Sequence, residues 1–92
     1  MSNEIFILGS ARTAIGTFGG SLSGVTPIEL ASSVSKAAIR RSNIKPDDIG
    51  QVAFGHVINT EPKDMYLSRV AAVQAKIPTD SPAMNVNRLC GS

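Results

Sequence analysis

The residue best suited to covalent chemistry in this chain is its single cysteine, Cys90. It lies in residues 87–92 (NRLCGS), directly after a short apolar run over residues 83–86 that predicts a β-strand. Gly91 and Ser92 then predict a sharp turn from that strand into a helix. At a helix start, backbone N–H groups and the helix dipole stabilise a thiolate, which is the nucleophilic form of cysteine. The position makes Cys90 a candidate nucleophile.

Residue type alone leaves a second interpretation of Cys90 open, because most free cysteines are small buried hydrophobic residues. A nucleophilic cysteine also needs a base within hydrogen-bond reach. His56 is the only histidine, and it is a candidate base, a candidate metal ligand or an ordinary surface residue. Its distance from Cys90 does not follow from the sequence.

The other polar clusters have structural explanations. The glycines between Ser10 and Val25 fit neither the dinucleotide fingerprint nor a phosphate-binding loop, so this segment is predicted to be a loop along the sheet edge. Within it, Arg12 either hydrogen-bonds backbone carbonyls or reaches a site. Asp47 and Asp48 lack a third metal ligand and predict a solvated turn. No metal site is predicted.

Strands that alternate with helices must position these residues. Strands are predicted over residues 4–9, 51–58 and 83–86, and the first lacks alternation, as expected when both faces are buried. Helices are predicted over residues 27–42, with Thr26 and Glu29 forming a capping box, and over residues 65–76, with Asp64 as the N-cap. This order predicts a parallel sheet with helical layers, and it places Cys90 at the carboxyl end of a strand.

Several segments together resemble the thiolase family of acyl-CoA acyltransferases. Residues 87–92 resemble its nucleophile segment, and residues 12–20 (RTAIGTFGG) resemble its N-terminal signature. Residues 54–58 (FGHVI) match a strand end of the family, and residues 60–66 (TEPKDMY) look closest to the bacterial β-ketothiolase branch. The resemblance runs from residue 4 to residue 92 without a visible gap.

The resemblance implies a layered α/β/α/β/α fold, of which residues 1–92 would be the first βαβαβ of the N-terminal half. It implies that Cys90 carries an acyl group taken from an acyl-CoA or a 3-ketoacyl-CoA, in thiolysis or in Claisen condensation. The implied substrates are acetyl-CoA and 3-ketoacyl-CoA, without a permanently bound cofactor, in an enzyme of fatty acid metabolism. The implied assembly is a homo-oligomer, either a dimer or a tetramer.

Other groups of the thiolase reaction do not occur in this sequence. Thiolases draw them from an Asn segment, a Gly-His-Pro segment, a second cysteine segment and a CoA-binding loop that lies later in the chain. We therefore expect a piece of a longer enzyme that is inactive alone, and no catalytic role for His56. The alternatives are a condensing enzyme of the ketoacyl synthase type and a noncatalytic βαβ module with a buried cysteine.

Composition sets outer limits on these functions. The 92 residues form at most one small domain, 42% hydrophobic and 17% charged with a net charge of +2. The basic residues do not cluster, so neither nucleic-acid binding nor a polybasic membrane anchor is expected. One cysteine forms no internal disulfide, which favours a reducing compartment. The apolar run from Ile5 to Leu8 is too short for a signal peptide or a membrane span, so a cytoplasmic location is expected.

Overall fold

The computed structural model describes residues 3–92. Its regular elements are α1 (Pro27–Arg41), β1 (Val52–Gly55), α2 (Leu67–Gln74) and β2 (Ala83–Val86), with short 3₁₀ helices at Pro46–Asp48 and Pro62–Tyr66. The two strands pair in parallel, with Val52 opposite Ala83 and Gly55 opposite Val86. The predicted α/β class with a parallel sheet is confirmed, and β2 has its predicted bounds.

Local chemistry begins α1 where the sequence predicts it. The backbone N–H of Glu29 donates to Thr26 Oγ1 at 3.1 Å, and the N–H of Thr26 donates to the Glu29 carboxylate at 2.8 Å. Pro27 occupies the first turn, where its missing N–H costs nothing. Arg40 and Arg41 lie in the last turn, where the helix dipole favours positive charge.

The core lies where the two α-helices meet the sheet. Small side chains let the helices approach closely: Ala31 of α1 and Ala71 of α2 are buried with Ile28 and Leu67, and Phe54 of β1 packs on this cluster. A second cluster lies at the other end of α2. It consists of Ala72, Ala75 and Ile77, and it packs against partly buried side chains that include Val52 and Ala83.

The predicted first strand is wrong for the structure of this chain. Residues 4–9 form no strand, and Ile5 and Ile7 are 91% and 93% exposed rather than buried on both faces. A strand exists only when a neighbour accepts its backbone hydrogen bonds, and among residues 3–92 the two strands pair only with each other. The segment instead runs past the end of α1, where the Arg41 guanidinium donates to the Ser10 carbonyl at 3.1 Å.

The predicted start of the second helix is also wrong. A 3₁₀ helix occupies residues 62–66, and α2 begins only at Leu67. Asp64 does not cap α2, because its carboxylate accepts hydrogen bonds from the residues before it. Asn85 of β2 does so instead: its Oδ1 accepts from the Ser68 N–H at 3.0 Å, and its amide donates to the Asp64 and Met65 carbonyls.

The chain exposes more surface than a compact protein of its size. Its accessible surface is 6962 Å² for 9.6 kDa, whereas a compact monomer of that mass exposes about 5,100 Å². Its radius of gyration is 14.2 Å, against about 12 Å for a compact domain of this length. No helix among the described residues has the length and apolar character needed to cross a membrane.

Candidate active site

Cys90 lies in a closed turn that follows β2. The turn is held by two backbone hydrogen bonds of 3.0 Å, from the Gly91 N–H to the Arg88 carbonyl and from the Ser92 N–H to the Leu89 carbonyl. The Ser92 hydroxyl adds two more, since it accepts from the Arg88 N–H at 2.7 Å and donates to the Leu89 carbonyl at 2.8 Å. The sharp turn predicted from Gly91 and Ser92 is therefore present.

Leu89 has an unusual backbone conformation just before the cysteine. Its φ is +49°, in the left-handed region that β-carbons disfavour. Two other non-glycine residues have positive φ, Asn43 at +55° and Lys76 at +64°, and each stands just past a helix end, where this conformation is a common cap. Leu89 follows a strand, so no cap explains it. Such strained residues cost on the order of 1–3 kcal/mol and cluster at functional sites.

The end of β1 is shaped to receive this turn. A β-carbon at Gly55 would lie 3.2 Å from the Ser92 β-carbon and 3.4 Å from its carbonyl carbon, so glycine permits the close approach. The His56 N–H extends the parallel ladder by donating to the Val86 carbonyl at 2.9 Å. The carboxyl ends of both strands therefore meet beside the turn that carries Cys90.

The turn leaves the Cys90 side chain accessible to solvent. The cysteine is free and exposed, and its own backbone N–H donates to no acceptor among residues 3–92. The interpretation of Cys90 as a small buried hydrophobic residue therefore does not fit this structure. A free N–H next to the sulfur is suited to bind the oxyanion that forms when a thiolate attacks a carbonyl.

His56 and Arg12 lie at a separate cavity of about 340 Å³. Its walls are residues 11–13, one side of α1 and the end of β1, and they include Leu30 and Phe54. The Nε2 of His56 is buried and has no hydrogen-bond partner among the described residues. Arg12 is exposed and donates no hydrogen bond to a backbone carbonyl within residues 3–92, so the predicted loop-tying role is not observed.

Asp64, predicted from the sequence only as a helix cap, is a buried carboxylate. It has no accessible surface, and its Oδ2 accepts from the Thr60 hydroxyl at 2.7 Å and from the N–H groups of Thr60 and Glu61 at 2.6 and 3.1 Å. The Thr60 hydroxyl lowers its pKa most; burial opposes this, and the two N–H groups and nearby His56 lower the pKa further. The net result is a pKa below 3.8.

No group of three or more metal-ligating side chains occurs among the described residues. Asp47 lies in the short 3₁₀ turn, and Asp48 accepts a hydrogen bond from the Lys45 N–H at 3.0 Å.

Comparison with known proteins identifies the family. The family profile for the thiolase N-terminal domain matches residues 5–92. The chain belongs to the thiolase family. It is 53% identical over 92 residues to β-ketothiolase BktB of Cupriavidus necator, covering all of this chain and 23% of that protein. It is 42% identical over 89 residues to an acetyl-CoA acetyltransferase of Clostridioides difficile, covering 97% of this chain and 82% of that protein.

Solved thiolase structures share the backbone of this segment. The human mitochondrial 3-ketoacyl-CoA thiolase in complex with CoA superposes with a TM-score of 0.91 at 33% identity, over 95% of this chain and 22% of that one. The acetyl-CoA acetyltransferase of Bacillus anthracis gives 0.84 at 36% identity, over 94% of this chain and 22% of that one. This thiolase segment thus spans less than a quarter of BktB and of both solved chains.

The stability that Asp64 contributes should depend on pH. The prediction applies to a polypeptide in which these residues are joined to the remaining thiolase sequence, which we call the full-length enzyme. The folded pKa of Asp64 lies below 3.8, so its stabilising effect is present above that pH and is lost as the pH falls through the folded value. We expect Asp64→Asn to lower the thermal midpoint at neutral pH, and the gap to wild type to shrink below pH 3.8. A gap independent of pH, in melts followed by circular dichroism, would contradict this role.

Proposed function

We propose that this segment is the nucleophile-bearing part of a thiolase, an acetyl-CoA C-acyltransferase in which Cys90 carries the acyl group. The observation that carries the proposal is the exposed Cys90 in a strained, hydrogen-bonded turn at the carboxyl end of β2. Parallel α/β sheets place their chemistry at this end. Membership of the thiolase family and the likeness to a thiolase bound to CoA support it.

The first half-reaction forms a thioester on Cys90. Its thiolate attacks the carbonyl carbon of an acyl-CoA, or the 3-keto carbon of a 3-ketoacyl-CoA, and a new C–S bond forms. We propose that the N–H of Cys90, which donates to no acceptor among residues 3–92, stabilises the resulting oxyanion. Collapse of the intermediate then expels CoA thiolate from the acyl-CoA. From the 3-ketoacyl-CoA it breaks the carbon–carbon bond and expels the acetyl-CoA carbanion, which takes up a proton.

The second half-reaction removes the acyl group. In thiolysis the sulfur of CoA attacks the acyl-cysteine and regenerates the thiolate of Cys90. In condensation the attacking group is the carbanion of acetyl-CoA. A base must deprotonate each incoming thiol and a second base must remove the α-proton. We propose that the remaining thiolase sequence supplies these bases.

We extend the proposal to partners and location. The substrates are acetyl-CoA and 3-ketoacyl-CoA in fatty acid metabolism, and CoA thioesters bind as substrates rather than as a resident cofactor. The run from Ile5 to Leu8 exposes apolar side chains. We propose that the remainder of the same enzyme and its homo-oligomeric partners bury them. We propose that the enzyme is cytoplasmic. Some relatives are named as mitochondrial thiolases.

A turnover assay on the full-length enzyme tests the activity. We expect acetoacetyl-CoA and CoA to be converted to acetyl-CoA, with the acyl group passing through Cys90. A folded enzyme that binds CoA and yet cleaves no acetoacetyl-CoA would contradict the proposal.

His56 is expected to be dispensable for this chemistry. Its side chain lies at the cavity shared with α1 rather than in the Cys90 turn, and its contribution to the sheet comes from its backbone N–H, which substitution preserves. In the full-length enzyme, His56→Ala should lower kcat for thiolysis by less than the roughly 10²–10⁴-fold that loss of a general base costs. A loss within that range, with an unchanged melting temperature, would make His56 a catalytic residue.

A further inference from the structure

Asn87 makes hydrogen bonds on both sides of the boundary between the sheet and the Cys90 turn. Its Oδ1 accepts from the Leu89 N–H at 3.0 Å, within the turn. Its Nδ2 donates to the Val57 carbonyl just beyond the end of β1, in a long hydrogen bond of 3.4 Å. One side chain therefore contacts both the residue that precedes the nucleophile and a backbone segment thirty positions away.

These contacts determine how the turn presents the cysteine. An Asn side chain that accepts from the N–H two residues later forms a turn of its own, and it supports conformations that most residues avoid. Here that turn leads into Leu89, whose φ of +49° sets the direction in which Cys90 leaves the strand. The contact with Val57 then fixes the turn relative to the sheet. The positions of both the sulfur and the N–H of Cys90 depend on that direction.

We propose that Asn87 is a positioning residue for acyl transfer: its side chain ties the Cys90 turn to the end of β1 and so aligns the sulfur and the N–H of Cys90 with one substrate carbonyl. The inference rests on the proposed function. Acyl transfer requires this alignment because nucleophile and oxyanion donor must act on the same carbonyl group. Alkylation of a thiol by iodoacetamide needs only an accessible thiolate.

The chain contains a matched control two residues earlier. Asn85 has the same side chain and makes three hydrogen bonds, against two for Asn87, but all three go to residues 64–68, in the 3₁₀ helix and the first turn of α2. Its loss should weaken the packing of β2 on α2 and leave the Cys90 turn unchanged. The two asparagines thus separate an effect on positioning from an effect on stability.

The test compares three variants of the full-length enzyme with wild type: Asn87→Ala, Asn87→Asp and Asn85→Ala. Three quantities are measured for each: the rate at which Cys90 is acetylated by acetoacetyl-CoA, the rate of its alkylation by iodoacetamide, and the thermal midpoint. Asn87→Ala should slow acetylation by about 10- to 100-fold, the cost of a small misplacement of reacting groups, and should change alkylation less than about threefold.

The other two variants refine the result. Asn87→Asp retains the acceptor for the Leu89 N–H and loses the donor to Val57, so its acetylation rate should fall between those of Asn87→Ala and wild type. Asn85→Ala should lower the thermal midpoint and keep acetylation within about threefold of wild type. If Asn87→Ala does not fold, Asn87→Asp alone tests the inference. In that variant, acetylation of Cys90 should still be slowed more than its alkylation.

Two results overturn the inference while leaving the proposed function intact. One is acetylation at the wild-type rate in the Asn87 variants. The other is equal slowing of acetylation and alkylation together with a lower thermal midpoint, which indicates a merely structural role. A wild-type enzyme that is never acetylated on Cys90 would overturn the proposed function and the inference together.

Discussion

Cys90→Ser in the full-length enzyme is expected to abolish thiolysis, with a loss of more than ~10³-fold in kcat, since removing a catalytic nucleophile costs up to about 10⁶-fold. A serine hydroxyl is a poor nucleophile near neutral pH unless a base activates it, whereas a thiol readily supplies its thiolate. The free N–H at position 90 persists in the variant, so oxyanion binding alone would remain. Turnover of acetoacetyl-CoA in the presence of CoA measures the effect.

The fold should tolerate this change. Cys90 is exposed, and no hydrogen bond that holds the turn uses its side chain. The thermal midpoint of Cys90→Ser should therefore match that of wild type, which separates a chemical defect from unfolding. Retention of more than a tenth of wild-type turnover by a serine variant of verified mass would exclude Cys90 as the acyl carrier.

Expressed alone, residues 1–92 are expected to show neither a cooperative melt nor thiolase activity. The surface of 6962 Å² is well above the roughly 5,100 Å² of a compact protein of this mass. Part of the excess is apolar, including Ile5 and Ile7. Even complete domains of this size are stable by only about 5–15 kcal/mol. Circular dichroism during heating and an acetoacetyl-CoA assay measure the two properties.

A chimera provides the matched control for the isolated segment. Replacing the corresponding residues of β-ketothiolase BktB with this sequence, which is 53% identical to it, supplies the missing surfaces. The chimera should melt cooperatively and cleave acetoacetyl-CoA. A sharp melt of the isolated segment would show that it is a self-sufficient domain and that its exposed apolar residues need no cover.

Elements specified by nearby residues were predictable from the sequence. The capping box of Thr26 and Glu29 is complete within four residues, and it correctly begins α1. The apolar run at Ala83–Val86 likewise predicts β2. The resemblance carried by residues 12–20 and 87–92 indicated the family, which the profile match confirms.

Features that depend on distant partners could not be predicted. The apolar pattern of residues 4–9 describes an environment buried on both faces, but no segment among residues 3–92 pairs with it. Asp64 precedes a helix as a cap would, yet Asn85 from β2 bonds the first turn of α2 and the Asp64 carboxylate turns back to Thr60. The capping of α2 by Asn85 is set by a group that is remote in sequence, whereas the contact of Asp64 with Thr60 is local and was missed.

In the candidate site, too, local features were predictable and contacts with distant residues were not. The sharp turn around the candidate residue Cys90 was predictable, because one cysteine next to glycine and serine is a local pattern. The sequence did not reveal the contact of Asn87 with Val57 or the approach of Ser92 to Gly55, since each joins the turn to residues at or just beyond the end of β1, at least thirty positions earlier. The one local signal for the role of Asn87 was its place two residues before Leu89, where an asparagine side chain can accept from the backbone N–H.

The most direct measurement is the mass of the peptide that contains Cys90. The full-length enzyme is mixed briefly with acetoacetyl-CoA, quenched in acid, digested and fragmented in a mass spectrometer. The account predicts one acetyl group, attached to the sulfur of Cys90, which disappears when CoA is added before the quench. An enzyme that cleaves acetoacetyl-CoA while its Cys90 peptide stays unmodified, or with the acetyl group on another residue, would contradict the account.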